Sequence, residues 1–182
     1  MKLNFLLFVF VFLASYNVKV YGSQSIFAGP QITSTSYSNS VGSSNRDSQT
    51  SYGAQGFLVL DRFAGGLEYN YFAPNQTGNQ SINVRQDDQW LEAEGKYRIW
   101  NENFSPYVSL GFGTVFESVS TQVLGASDKG SSVYFVRDLG LGLLGRITSN
   151  IGVTISAKYY QYSNINGFVY GLSFGYFSNP EL

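Results

Sequence analysis

Residues 91–99 alternate without a fault. In an extended chain successive side chains point to opposite faces, so Leu91, Ala93, Gly95, Tyr97 and Ile99 share one side and Glu92, Glu94, Lys96 and Arg98 the other. Four consecutive positions of the second face are therefore ionisable, in the order minus, minus, plus, plus. A soluble sandwich or barrel would turn its apolar face inward and leave such a charged face in water. The inverse arrangement points the apolar face into lipid and lets opposite charges meet inside a narrow closed barrel.

The same period recurs. Val153, Ile155, Ala157 and Tyr159 alternate with Thr154, Ser156, Lys158 and Tyr160; further on, Phe168, Tyr170, Leu172, Phe174 and Tyr176 face away from Gly171, Ser173 and Gly175. Charged residues make up 13% of the 182, about half the share usual for a soluble domain, while aromatics reach 17% and glycines number 20. Such a composition suits a surface that meets something other than water. With 11 basic against 12 acidic residues there is no basic face for nucleic acid. The absence of Cys and His removes disulfides, thiolate metal sites and every catalytic device that needs an imidazole.

Met1-Lys2 followed by the apolar run Leu3–Leu13 has the form of an export signal, too short to cross a bilayer as a helix, which takes about 20 apolar residues. The cut is placed after Gly22, which makes residues 1–22 a cleaved signal peptide and 23–182 the mature domain, with 9 basic side chains left once Lys2 and Lys19 are gone.

Eight strands are expected, near residues 26–34, 53–61, 65–72, 90–99, 106–116, 133–144, 151–160 and 168–176. Their connections alternate between long polar stretches (35–52, 73–89, 119–132) and short ones (62–64, 100–105, 145–150). This is the rhythm of an all-β, eight-stranded antiparallel up-and-down transmembrane β-barrel with short periplasmic turns and longer exterior loops. Eight steps from Phe168 to Tyr176, tilted by about 40°, rise roughly 20 Å, close to the apolar thickness of an outer membrane. The expected lipid-facing residues are Leu91, Tyr97, Val153, Ile155, Tyr170, Leu172, Phe174 and Tyr176. Glu68, Glu92, Glu94, Lys96, Arg98, Glu117 and Lys158 form the expected interior charge network, with inward glycines such as Gly111, Gly140 and Gly171 making room for them.

Three features strain this pattern. Pro30 cannot donate to a ladder and calls for a bulge or an irregular start in the first strand. Phe57-Leu58-Val59-Leu60 is apolar on both faces, so its orientation stays open. Arg137 shares a face with Leu139, Leu141 and Leu143, which places it outward, at headgroup level against lipid phosphate.

The stretch 95–113, GKYRIWNENFSPYVSLGFG, joins a Gly/aromatic strand through an Asn/aromatic turn and Ser-Pro-Tyr to a Gly-alternating strand. With that hairpin and the last strand, the chain resembles the small outer-membrane β-barrels of the OmpA barrel, OmpX and Ail type. The resemblance implies a Gram-negative outer membrane, assembly through the periplasm and outer-membrane lipid as the standing partner, with surface partners meeting the exterior loops. Those proteins end on an aromatic residue, whereas Phe177 here is followed by five more.

No catalytic, cofactor-binding or metal-binding set is expected. Glu92 and Glu94 sit beside Lys96 and Arg98, which makes a charge-balanced core the simpler reading than an acid–base pair, and Asp87-Asp88 is expected in a solvated loop. The reading is of a non-catalytic structural or surface-interaction barrel. The alternatives are a small passive pore on the same barrel, or a secreted soluble lipocalin-like barrel around an apolar ligand.

Overall fold

The computed structural model describes residues 24–38, 48–78, 82–100, 102–123, 126–163 and 165–178, so the expected signal peptide lies outside the described residues. Strands run along almost all of it: β1 (Gln24–Ser38), β2 (Ser48–Leu60), β3 (Phe63–Phe72), β4 (Asn75–Gly78), β5 (Ile82–Arg98), β6 (Phe104–Val123), β7 (Ala126–Arg146), β8 (Ile151–Tyr162) and β9 (Ile165–Phe177). Every pairing is antiparallel. β1, β2, β3, β5, β6, β7, β8 and β9 pair in that order, and β9 returns to β1, so eight strands close a ring without edges. The short β4 stands outside the ring and pairs with β5.

The two ends of the barrel differ. At one end, here the turn end, Asp61-Arg62 joins β2 to β3 and short turns join β5 to β6 and β7 to β8. The start of β1 and the end of β9 meet there, where the amide of Ser178 donates to Ile26 O at 2.9 Å. Asp61 adopts a φ of 50°, a left-handed conformation that a short polar side chain tolerates.

At the opposite end the chain departs from the sequence expectation. Most of the polar stretches 73–89 and 119–132 are strand: β5 and β6 pair from Ile82↔Val123 downward, and β6 and β7 from Val123↔Ala126. Residues 126–132 are exposed on both faces, whereas Gln86 and Asp88 are buried on the inner one, and the Ser, Thr, Val and Gln side chains are compatible with a ladder that satisfies its own backbone groups. β4, β5, β6 and β7 thus build a sheet that stands above the rim. β8 begins to pair with β7 only at Val136↔Tyr162, so among the described residues 126–135 have no partner strand on that side.

Pro30 produces no bulge. The ladder with β2 runs through Pro30↔Ala54 in constant register, and on the β9 side the register is also kept, from Ala28↔Tyr176 to Gln31↔Ser173, with pairing omitted at Gly29 and Pro30. The missing N–H is absorbed by a local gap in one ladder. A Cβ at Gly29 would collide with the Phe174 carbonyl, so the two strands approach closely at this gap.

Candidate functional site

The inner wall is layered. Lys158 on β8 and Lys96 on β5 lie among Glu68 (β3), Glu92 and Glu94 (β5) and Asp138 (β7), all buried. Lys158 Nζ is 2.9 Å from Glu68 Oε2, 3.2 Å from Glu94 Oε2 and 3.6 Å from Glu92 Oε2. Lys96 Nζ lies 3.3 Å from Glu94 Oε2 and 3.6 Å from the centre of the Phe57 ring, so a carboxylate and an aromatic face share its charge. Glu68 also accepts from Asn70 Nδ2 at 2.9 Å, and Asn70 Oδ1 accepts from Gln31 Nε2 at 2.9 Å. Beside this charged layer Gln55 reaches from β2 to Thr154 and Ser173, which bond one another at 2.6 Å.

Two apolar layers bracket the charges. Toward the turn end Phe27, Phe57, Val59, Ala64, Tyr107, Leu144 and Phe177 pack together. Toward the ladder end Phe72, Trp90, Val115, Val136, Tyr160, Tyr162 and Val169 do the same, with Trp90 edge-on to Tyr160 and Tyr162. The interior is therefore a charged disc between two greasy plugs, not polar throughout. These aromatics occupy the inward parity of their strands, the signal that reveals them once one face of each strand is known to be interior.

Of the expected network, Glu68, Glu92, Glu94, Lys96 and Lys158 come together. Arg98 does not join them: it sits at the turn end, where Nη1 donates to Asp61 O at 3.0 Å and Nη2 to Glu102 O at 3.2 Å and Ser105 Oγ at 3.1 Å. Glu117 is half-buried above the Trp90–Val115 level, opposite Asp88 and Ser132, outside the charged disc. Strand parity alone could not place either along the axis. Asp138, absent from the expectation, was legible by the same parity that turns Arg137 outward. Its carboxylate fills the space over Gly111, where a Cβ would strike it.

Asp87 and Asp88 lie on a strand, not in a loop, and on opposite faces. Asp87 takes Arg85 Nε at 3.0 Å on the outer face, and Asp88 takes Gln86 Nε2 at 3.0 Å on the inner one. They cannot chelate one ion together, and no group of three or more acidic side chains is arranged for a metal among the described residues.

The outer wall is apolar. Leu91, Tyr97, Ile155, Tyr170, Leu172, Phe174 and Tyr176 are exposed on it, and Val153 half-exposed. Leu139 and Leu141 are 63% and 64% exposed, and on β2 Leu58 and Leu60 face out while Phe57 and Val59 face in. So continuous a band far exceeds the apolar patches of a soluble monomer. Among the described residues Arg137 is the only charged side chain on this wall between the turns and the sheet above the rim; its Nε and Nη2 donate to Gln161 Oε1 at 3.2 and 2.6 Å. Aromatics gather toward both margins of the band: Phe63 against Tyr97 near the turns, and Phe112 against Phe135 and Tyr159 against Phe168 above.

Among solved structures, Ail, the attachment invasion locus protein of Yersinia pestis, is similar at 19% identity and a TM-score of 0.56, covering 85% of this chain and 97% of its own. Neisserial surface protein A matches at 13% identity and TM-score 0.56 over 85% and 97%, and the N-terminal β-barrel domain of Pseudomonas aeruginosa OprF at 15% and 0.55 over 84% and 96%. This chain has the fold of the small eight-stranded outer-membrane β-barrels. No protein-family model matches it, and no curated protein sequence is significantly similar.

Proposed function

We propose that this chain is an integral protein of the bacterial outer membrane, a non-catalytic barrel that anchors a sheet at the cell surface. The observation that carries the reading is the inversion of the wall: an apolar band outside, ion pairs sealed inside. A barrel carrying an apolar ligand in water needs the opposite polarity. A groove of about 690 Å³ on the outer face, walled by Leu141, Leu143, Ile155, Tyr170, Leu172 and Ile32, suits acyl chains of the surrounding lipid. Arg137, in the upper aromatic margin, suits a lipid phosphate. The two apolar plugs argue for a closed barrel over a passive pore, and the ion-paired Glu92 and Glu94 argue against an acid–base role.

The turn end then faces the periplasm and the β4–β7 sheet faces outward, where the edge at residues 126–135, unpaired on one side among the described residues, can receive an extended segment of a surface partner as an added strand. Ail is described in complex with the heparin analogue sucrose octasulfate. Here the described part of the exterior sheet carries Arg85 and Lys129 against Asp87, Asp88, Glu117 and Asp128, a balance that favours a neutral or basic partner over a polysulfated one.

The test is cell fractionation joined to heat-modifiable gel migration and trypsin treatment of intact cells. Recovery with outer membranes, faster migration before boiling and cleavage at Lys129 are expected. Release into the soluble periplasm without detergent overturns the reading.

A further inference from the structure

Arg137 on β7, Gln161 on β8 and Asn166 on β9 stand side by side on the outer face, joined by the pairs Arg137↔Gln161 and Gln161↔Asn166. We propose that this row and the apolar groove below it hold one phosphate-bearing lipid per barrel, its phosphate against Arg137 and an acyl chain in the groove. The inference rests on the membrane reading above and adds to it a single retained molecule.

The donors are set before any ligand arrives. A guanidinium has no acceptor, so Gln161 must turn its oxygen to Arg137, taking Nε at 3.2 Å and Nη2 at 2.6 Å, and its Nε2 points away as a donor. Arg137 Nη1, Gln161 Nε2 and the Asn166 amide nitrogen then have no hydrogen-bond partner among the described residues, and Arg137 is exposed. One cation and two neutral donors at one level suit a phosphate, which accepts several hydrogen bonds at once.

Below this row the wall repeats the order of parts in such a lipid. One pair of residues further down, about 7 Å along the strands, Tyr159 meets Phe168 edge to face at 5.4 Å beside Leu139, an aromatic step at the level of the ester-linked backbone. About 13 Å below Arg137, Ala157 stands between Leu141 and Tyr170, and its small side chain opens the groove. At about 690 Å³ the groove falls within the roughly 300–1,000 Å³ of sites that enclose small molecules. A chain seated in it is touched from several sides, whereas a smooth wall touches a chain from one. A free phosphate leaves the groove unused. A second copy of the chain, packed on this face, offers Arg137 no acid to pair with, since among the described residues the wall between the turns and the upper sheet carries no other charge.

The experiment is native mass spectrometry of the full chain folded in an uncharged maltoside detergent, titrated separately with phosphatidic acid, with diacylglycerol of the same chains and with glycerol 3-phosphate. Saturable binding of one phosphatidic acid per barrel is expected, about tenfold tighter than diacylglycerol, the gain for one charge-assisted hydrogen bond. Arg137→Gln should bring phosphatidic acid down to the level of diacylglycerol, and Arg137→Lys should restore much of the difference. Ala157→Phe, which fills the groove, should weaken both lipids by the same factor and leave their ratio unchanged. Folding of each variant is checked by heat-modifiable migration, and Ala157→Leu fills the groove in place of a phenylalanine that fails to fold. Equal affinity for phosphatidic acid and diacylglycerol, or lipid binding untouched by filling the groove, overturns the proposal. Glycerol 3-phosphate bound as tightly as the lipid, or a dimer that excludes it, also overturns it by giving the site to a free anion or to a second copy. Each of these failures leaves the membrane reading standing, because recovery with outer membranes tests that separately.

Discussion

Lys158 on β8 and Glu68 on β3 stand four places apart in the ring of eight strands, on opposite walls, yet their side chains meet at 2.9 Å. One ion pair spans the whole interior. Lys158 is 4% exposed and has two further carboxylates within 3.6 Å, so the barrel is tied across its middle by a cation that touches the opposite side. The stem of Lys158 passes where a Cβ on Gly140 would lie, 2.8 Å from its Cγ, which is why the residue beside it on β7 has no side chain.

Lys158→Ala should therefore be among the most damaging single changes. It leaves Glu68 and Glu92 without their cation in a site closed to water, a loss on the order of 3–5 kcal/mol for a broken buried pair. Urea unfolding of the protein in lipid vesicles measures it. A loss below about 1 kcal/mol would mean that the acids find compensation elsewhere.

Packing at the glycine next to Asp138 offers a second test. Gly111→Leu must displace the Asp138 carboxylate and is expected to cost about 1–3 kcal/mol through overpacking. Gly130→Ala, at a position with open space around it, is the matched control and should leave the unfolding midpoint unchanged.

Charge on the outer wall should be penalised by depth. Leu141→Arg, in the middle of the band, is expected to cost about 2–4 kcal/mol in a bilayer, and Ile151→Arg, beside the turn end, about 0–1 kcal/mol. Equal penalties at both sites would contradict the membrane reading.

Conduction tests the plugs. Planar bilayers holding the wild-type protein should show no steady unitary current. Truncating one plug, by Trp90→Ala, should also leave the barrel closed, because the Phe57 layer remains. Only Trp90→Ala combined with Phe57→Ala is expected to leak. Regular conductance steps from the wild type would turn the reading to a pore.

Much of this fold was legible from local pattern. The faces of residues 91–99, 151–160 and 168–176 follow from alternation, and closure into eight strands follows from the rhythm of connections. β2 resisted because Phe57 and Val59 belong to an internal apolar layer while Leu58 and Leu60 face outward, so both sides of the strand carry the same chemistry. The exterior sheet was missed for a related reason: polar residues at 119–132 report contact with water, and a ladder in water reads like a loop. Arg98 and Glu117 had the correct parity, but parity gives a face and no height along the axis.

Which side chains share a face of each well-patterned ribbon was settled by the chain itself, since the pleat sends every second side chain the same way whatever surrounds it. Which inward groups meet was decided only on closure. Glu68 and Lys158 are 90 residues apart, and no local rule links them; the ring size and the stagger of its ladders bring them to one level.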